Sequence, residues 1–322
     1  MNKNVITIAT GKQLYIDMAV NLARSFLLWN NPDEISFYIV TDHPQYVPDD
    51  IKQRIKIYQI SPGELGEGFS SKLHLDRLAP EGQTLFIDSD CLVFGNIDSI
   101  FTRFKGHSVS VVGKYINDTE WFGNIKEICA KFGIPHLVKF NGGIYYLEKG
   151  DAANAVYSTA RKLEREYDEI GFIRLRNKPN DEVIMALSMQ LHNQPPVEED
   201  GTIMGEFVNF QSGFKGDIFA GKAALYNTPG HEKYQKDWPL KLGTPLIVHF
   251  LGDHTNIYPY ITFKKQLELI SKGQSAGMAK AISFVSVSLP WLSKFYLKEI
   301  LRPVYRKVAG VRNIKKSERI ID

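Results

Sequence analysis

The sequence predicts an α/β protein: a mostly parallel, Rossmann-like sheet flanked by helices, followed by a helical C-terminal region. Three observations carry this. Over the first ~100 residues, short runs rich in β-branched and aromatic residues alternate with runs of helical periodicity, the order that builds a parallel sheet covered by helices. The strand-like run Thr84–Ile87 delivers two acids, Asp88 and Asp90, before an apolar run resumes at Cys91–Phe94. From Ala276 onward, apolar and basic clusters alternate as in an amphipathic helix.

Taken in order, Val5–Ala9 reads as the first strand and Thr10-Gly11-Lys12 as its turn. Residues 15–28 have helical periodicity, with Ile16, Ala19, Val20, Ala23, Phe26 and Leu27 on one face. Ile35–Val40 and Ile55–Ile60 are further strands, the first closed by Thr41-Asp42-His43-Pro44. Lys72–Leu78 is expected to be helical, and the strand with the acidic end follows. Ser108–Val112 is another strand. The polar, aromatic stretch Lys114–Asn124 is expected to be a loop, either facing a sugar or anchored on the surface by Trp121. Two glycines, Gly142 and Gly143, interrupt the strand-like run Phe140–Leu147, which calls either for close approach to a ligand or for a β-bulge. Asp151–Ile170 and Val183–Leu191 are helices, with Asn180 placed to cap the second. Residues 197–245 are aromatic and Gly-rich with weak periodicity. Leu246–Leu251 is a last strand, carrying His249 at its end. The domains expected are 1–270 for the α/β body and 271–322 for the basic helical tail.

The 322 residues are 43% hydrophobic and 23% charged, an ordinary globular composition. The net charge of +3 gives no case for nucleic acid, but it is unevenly placed. Ten basic residues against three acidic from Ala276 onward make +7, so the first 275 residues carry −4. A basic tail on a mildly acidic body suits an anionic membrane surface; a helix packed on the body with a solvated basic face is the alternative. The two cysteines, Cys91 and Cys129, are expected as buried free thiols of a reducing compartment. The apolar run near Met1 is too short for a signal peptide, and no segment reaches the ~18 apolar residues of a spanning helix. A cytoplasmic protein is expected, in contact with a membrane only at its periphery and through the tail.

A parallel sheet gathers its ligand crevice beyond the carboxyl ends of its strands. Thr10-Gly11, Asp42 and Asp88–Asp90 all fall there. Two carboxylates flanking one small residue suit a hard divalent cation bound through oxygen; a solvated acidic turn is the plainer alternative. Gly11 lets backbone approach a ligand, with Tyr15 in reach for stacking. His249 is either a metal ligand or a hydrogen-bonded core histidine.

Together, Val5-Ile-Thr-Ile-Ala-Thr-Gly11 with Tyr15, Ile39-Val-Thr-Asp42, Lys72-Leu, Phe86-Ile-Asp-Ser-Asp-Cys-Leu-Val93, Phe140-Asn-Gly-Gly-Ile144, Asn180-Asp181 and His249-Phe-Leu-Gly252 occur in an order that resembles glycosyltransferases of the GT-A fold. The nearest likeness is to the family 8 type, which includes bacterial galactosyl- and glucosyltransferases and glycogenin, and it covers roughly residues 3–255. The resemblance implies a retaining hexosyltransferase acting on a UDP-sugar donor and a glycan or lipid-linked acceptor. Mn²⁺ (or Mg²⁺) would be held by Asp88, Asp90 and His249. Ala9, Thr10, Gly11, Tyr15, Asp42, Lys72, Ser89, Gly142, Gly252 and His254 would bind the donor, and Asn141 and Asp181 would stand beside the reacting sugar. One departure is Thr255, where the family pattern has a lysine on the diphosphate. That departure motivates a second reading as a non-catalytic sugar-nucleotide or glycan-binding module. A sugar-nucleotide pyrophosphorylase is a third, although its Gly-rich, basic N-terminal loop is missing.

Overall fold

The structure, a computed structural model, describes residues 1–66 and 68–310. Lys3–Ile8 (β1), Ile35–Thr41 (β2), Lys56–Gln59 (β3) and Gln83–Ile87 (β4) form four parallel strands in the order β3-β2-β1-β4. Cys91–Val93 (β5), Val109–Ser110 (β6), Val112–Ile116 (β7), Leu137–Phe140 (β8) and Ile144–Glu148 (β9) follow. β9 joins the main sheet antiparallel to β4, and β6 closes the edge beyond it. The sheet is mainly parallel and flanked by helices, as expected.

Alternation along the strands explains the two cores. Ile6, Phe86, Tyr145 and Leu147 point into one apolar cluster; Val5, Leu85, Ile144 and Tyr146 point into the other. The helix Gln13–Trp29 covers the second face with Ile16, Ala19, Leu22, Ala23 and Phe26, spaced at helical intervals. The helices Asp151–Arg165 and Asp181–Leu191 cover the first with Val156, Tyr157, Ala160, Val183, Ile184 and Leu187.

Two stretches differ from the sequence expectation. The run 114–124 is only partly a loop: Val112–Ile116 is a strand paired with β8, so Lys114 and Tyr115 belong to a ladder. Trp121 is buried in the core, which settles the loop as anchored. Behind it lies an unpredicted helix, Ile125–Phe132, capped by the Asn124 side chain on the Glu127 amide and ended by Gly133 at φ 63°. The weakly periodic run 197–245 contains five short strands: Val197–Glu198 (β10), Met204–Glu206 (β11), Gly213–Asp217 (β12), Lys222–Tyr226 (β13) and Leu242–Gly243 (β14). Ile247–His249 (β15) lies between β11 and β5, parallel to the first and antiparallel to the second.

The chain divides into two compact units, Met1–His249 and Phe250–Asp322. In the second, the helices Tyr260–Ser271 and Ala276–Ser283 are tied by Gln266 Nε2 donating to Ser283 Oγ at 3.2 Å. A π-helical stretch, Phe284–Ser288, leads into the helix Leu289–Ala309. The tail residues 311–322, with Arg312, Lys315, Lys316 and Arg319, lie outside the described residues. No helix among the described residues is long and apolar enough to cross a membrane. Cys91 and Cys129 are free and buried.

Candidate active site

The carboxyl ends of β1, β2 and β4 share one edge of the sheet, and the predicted residues follow from that. Ala9 continues β1, its amide bonded to the Val40 carbonyl at 2.9 Å. Gly11 turns at φ 79°, a conformation that side-chain-bearing residues rarely adopt. Its amide donates to both oxygens of Asp42 at 3.1 Å, so the ends of β1 and β2 are clasped together. Tyr15 stands partly buried in the first turn of the following helix.

At the end of β4 the chain makes a tight turn. The Cys91 amide donates to the Asp88 carbonyl at 3.0 Å, and the Asp88 amide to the Gly143 carbonyl at 2.8 Å. Ser89 is buried within this turn. Asp90 points to His249, with Oδ1 3.0 Å from Nε2 and both side chains almost wholly buried. Asp88 points the other way: its Oδ2 accepts from Lys72 Nζ at 2.8 Å. That ammonium also donates to the Gly142 carbonyl at 2.8 Å and lies 3.7 Å from Asp181 Oδ2. Burial works against the charge on Lys72, but Asp181, Asp88 and Glu182 outweigh it and hold the amine protonated.

Asp181 opens the helix Asp181–Leu191, whose cap is Asn180: its side chain accepts from the Glu182 amide at 2.9 Å. Asp181 is buried and accepts from the Tyr145 hydroxyl at 2.5 Å. Burial pushes its carboxyl up, with Lys72 and Tyr145 pulling the other way. Glu182 accepts from the Gly142 amide at 2.7 Å. Burial, then the charge of Asp181, pushes Glu182 up to about 7 from an ordinary 4.5. A carboxyl raised on folding contributes stability below its unfolded value, and that contribution is lost as pH rises through the folded one. Glu182→Gln, which keeps the acceptor and drops the charge, is therefore expected to lose less melting temperature than wild type between pH 5 and 8. Parallel melting curves of the two proteins with pH would mark the assignment as wrong.

The two consecutive glycines leave room for protein. A side chain at Gly142 would sit 3.0 Å from Asp181 Oδ2; one at Gly143 would sit 2.6 Å from His249 Nδ1 and 2.9 Å from Met204 Sδ. Gly143→Ala is expected to push His249 out of place, cost about 2 kcal/mol by overpacking and weaken metal binding at least tenfold. Melting and Mn²⁺ titration of that variant check it, and unchanged metal affinity would defeat it.

Asn141 lies between His249 and Glu206. Its Oδ1 faces His249 Nδ1 at 2.9 Å and accepts from the Gly143 amide at 2.9 Å, and its Nδ2 donates to Glu206 Oε2 at 2.6 Å. Glu206 sits in register with His249 across β11 and β15. No local pattern marked Glu206, because only the pairing of two distant strands brings it here. Tyr145 was likewise invisible as a site residue inside an aromatic strand. Gly252 and His254 belong to the second unit, in the 3₁₀ turn Gly252–Asn256.

The donor set fits a divalent cation. Ligand atoms of Asp90, Cys91 and His249 lie within 4.8 Å of one another. Carboxylate and imidazole suit a hard or borderline ion such as Mn²⁺. Burial, then the charges of Asp90 and Asp88, push the Cys91 thiol up. Burial pulls the His249 imidazole down, yet Asp90, Asp88 and Glu206 outweigh it and raise its pKa. The pocket is built around positive charge.

No protein-family model matches the sequence, and no curated protein matches it either. Solved structures do. The galactosyltransferase LgtC in complex with donor and acceptor sugar analogues superposes with a TM-score of 0.53 at 12% identity, over 84% of this chain and 96% of that one. An active-site mutant of LgtC gives 0.54 at 11%, over 83% and 95%. The glycosyltransferase GlyE of Streptococcus pneumoniae gives 0.51 at 16%, over 88% of this chain but 64% of its own. The fold is the GT-A glycosyltransferase fold.

Proposed function

We propose that the chain is a metal-dependent glycosyltransferase that moves a hexosyl group from a UDP-sugar to a glycan or lipid-linked acceptor, with retention. The observation that carries this reading is the Asp90–His249 pair, 3.0 Å apart and buried, at the sheet edge where Asp88 and Lys72 also end. Asp88, Asp90 and His249 would hold Mn²⁺ or Mg²⁺. Such an ion supplies the positive charge that a departing UDP needs. Thr10, Gly11, Tyr15 and Asp42 lie where a nucleoside would rest beyond β1 and β2, with Ala9 behind them. Lys72 and Ser89 face the diphosphate side, and Gly142 and Asp181 the transferred sugar. For Gly252 and His254 the support is the resemblance alone. The departing phosphate oxygen can take the acceptor's proton on a front-face path, so no separate strong base is required.

Calorimetric titration of the full chain with UDP, with and without Mn²⁺, followed by UDP release from a panel of UDP-sugars, tests the reading. Mn²⁺-dependent binding and release from a hexose donor are expected. Binding without release or transfer would favour the non-catalytic module, and absence of Mn²⁺-dependent binding would overturn the metal assignment.

The proposal extends to the membrane surface. In the second unit Val285, Tyr296, Leu297 and Ile300 are exposed, and Lys294, Lys298 and Arg302 lie on the same segment. Apolar side chains in a basic setting favour an anionic bilayer and a lipid-linked acceptor. Deleting residues 276–322 is expected to abolish sedimentation with anionic vesicles and spare donor hydrolysis; loss of a soluble fold would instead make the tail part of the core.

A further inference from the structure

Glu206, His249 and Cys91 form one row across β11, β15 and β5, because Glu206 pairs with His249 and His249 with Cys91. A chain of hydrogen bonds runs along this row. Asn209 Nδ2 donates to Glu206 Oε1 at 2.6 Å, and Asn141 Nδ2 donates to Glu206 Oε2 at 2.6 Å. Asn141 Oδ1 accepts from the Gly143 amide at 2.9 Å and faces His249 Nδ1 at 2.9 Å. His249 Nε2 then meets Asp90 Oδ1.

The direction of each bond is forced. A backbone N–H can only donate, so the Asn141 atom facing Gly143 is its oxygen. A carboxylate can only accept, so the atom facing Glu206 is the amide nitrogen. Two independent contacts thus set the Asn141 amide the same way. Its oxygen can only accept from His249, so Nδ1 carries a hydrogen; Nε2 donates to Asp90 Oδ1 while no cation is bound, and its lone pair is the one freed when a cation takes that proton's place.

We propose that Glu206, acting through Asn141, is a positioning residue that fixes the His249 tautomer and so presents Nε2 as a metal ligand. This rests on the metal reading above and adds a residue to it. It also moves Asn141 from the sugar to the metal side, since both ends of its amide are engaged there. Outer partners of this kind raise metal affinity by holding the ring in one orientation and one tautomer.

The test pairs spectroscopy with a rescue. In full-length protein with ¹⁵N-labelled histidine, His249 is expected to carry a hydrogen on Nδ1 whether metal-free or loaded with Cd²⁺ as a diamagnetic probe, and to have a bare Nε2 only when loaded. In Glu206→Gln the new amide offers one acceptor to two amide donors, Asn141 and Asn209. Mn²⁺ binding by calorimetry is expected to weaken by about tenfold or more. Adding Asn209→Asp restores a matched set, because the glutamine NH₂ then faces a carboxylate and its oxygen faces Asn141. Affinity is expected to return to within about threefold of wild type. A wild-type ring bare at Nδ1, in either state, would overturn the proposal without any variant. So would an unweakened Glu206→Gln, or a double variant no better than the single. Wild-type protein that shows the expected tautomer but binds no Mn²⁺ would instead refute the metal reading and leave the tautomer assignment standing.

Discussion

Asp90→Asn is expected to abolish metal-dependent turnover while leaving the fold intact. Asparagine keeps the shape of the side chain and an oxygen toward His249, so the turn between β4 and β5 has no reason to open. What it loses is the anionic oxygen, and with it the charge that draws a divalent cation into a buried place. Even the loss of a group that only orients a ligand costs about ten- to a hundredfold in metal affinity, so at least a ~100-fold loss of Mn²⁺ affinity is expected here. Asp90 is also the partner of the buried His249 ring, so the metal-free variant should melt somewhat earlier than metal-free wild type while still unfolding as one cooperative unit. Calorimetry with Mn²⁺ and melting with and without the ion give both numbers. Retained Mn²⁺ dependence would defeat the role given to Asp90.

Lys72→Met is expected to be the most destabilising single change at the site. The Lys72 ammonium is the counter-charge for Asp88 and stands near the buried Asp181. Methionine can occupy the space of the stem beside Phe86 and Tyr145 but leaves two carboxylates uncompensated. Removing one partner of a buried pair costs about 3 kcal/mol or more. The pH dependence has a defined sign. Burial already raises the Asp181 carboxyl and Lys72 holds it down, so without the cation it rises further and the deficit should shrink as pH falls from 7.5 to 5.5. Mn²⁺ should recover part of the lost melting temperature by replacing the missing positive charge next to Asp88. A variant as stable as wild type at pH 7.5 would mean that the ammonium is not what balances these acids.

How much of this the sequence disclosed depended on the distance between the groups involved. The parallel strands were legible because each carries its own apolar run, and the acidic turn because Asp88 and Asp90 are nearly adjacent. Asn180 as a cap was legible for the same local reason. Strands of two or three residues, such as Val197–Glu198 and Met204–Glu206, are too short to carry a period, so β10, β11 and β14 were unreadable, while β12 was masked by its own glycines and charges (Gly213, Lys215, Gly216, Asp217). Glu206 was hidden twice over, since its strand was not apparent and its cross-strand partner His249 lies 249 − 206 = 43 residues further along the chain. The helix Ile125–Phe132 was lost inside a stretch dominated by polar and aromatic residues. The glycine pair was marked as special correctly, but only coordinates tell that the space it leaves belongs to Asp181 and His249.

The bond from the Asp88 amide to the Gly143 carbonyl has a thermodynamic consequence. It joins the acidic turn to the glycine turn, and β4 and β9 run side by side up to that point. The groups meant to meet a cation therefore hang from backbone already locked by the ladder. Little chain entropy remains to be lost when a ligand arrives, and the heat capacity change should be that of covering a small polar surface, far from the large negative value that accompanies folding of a segment on binding.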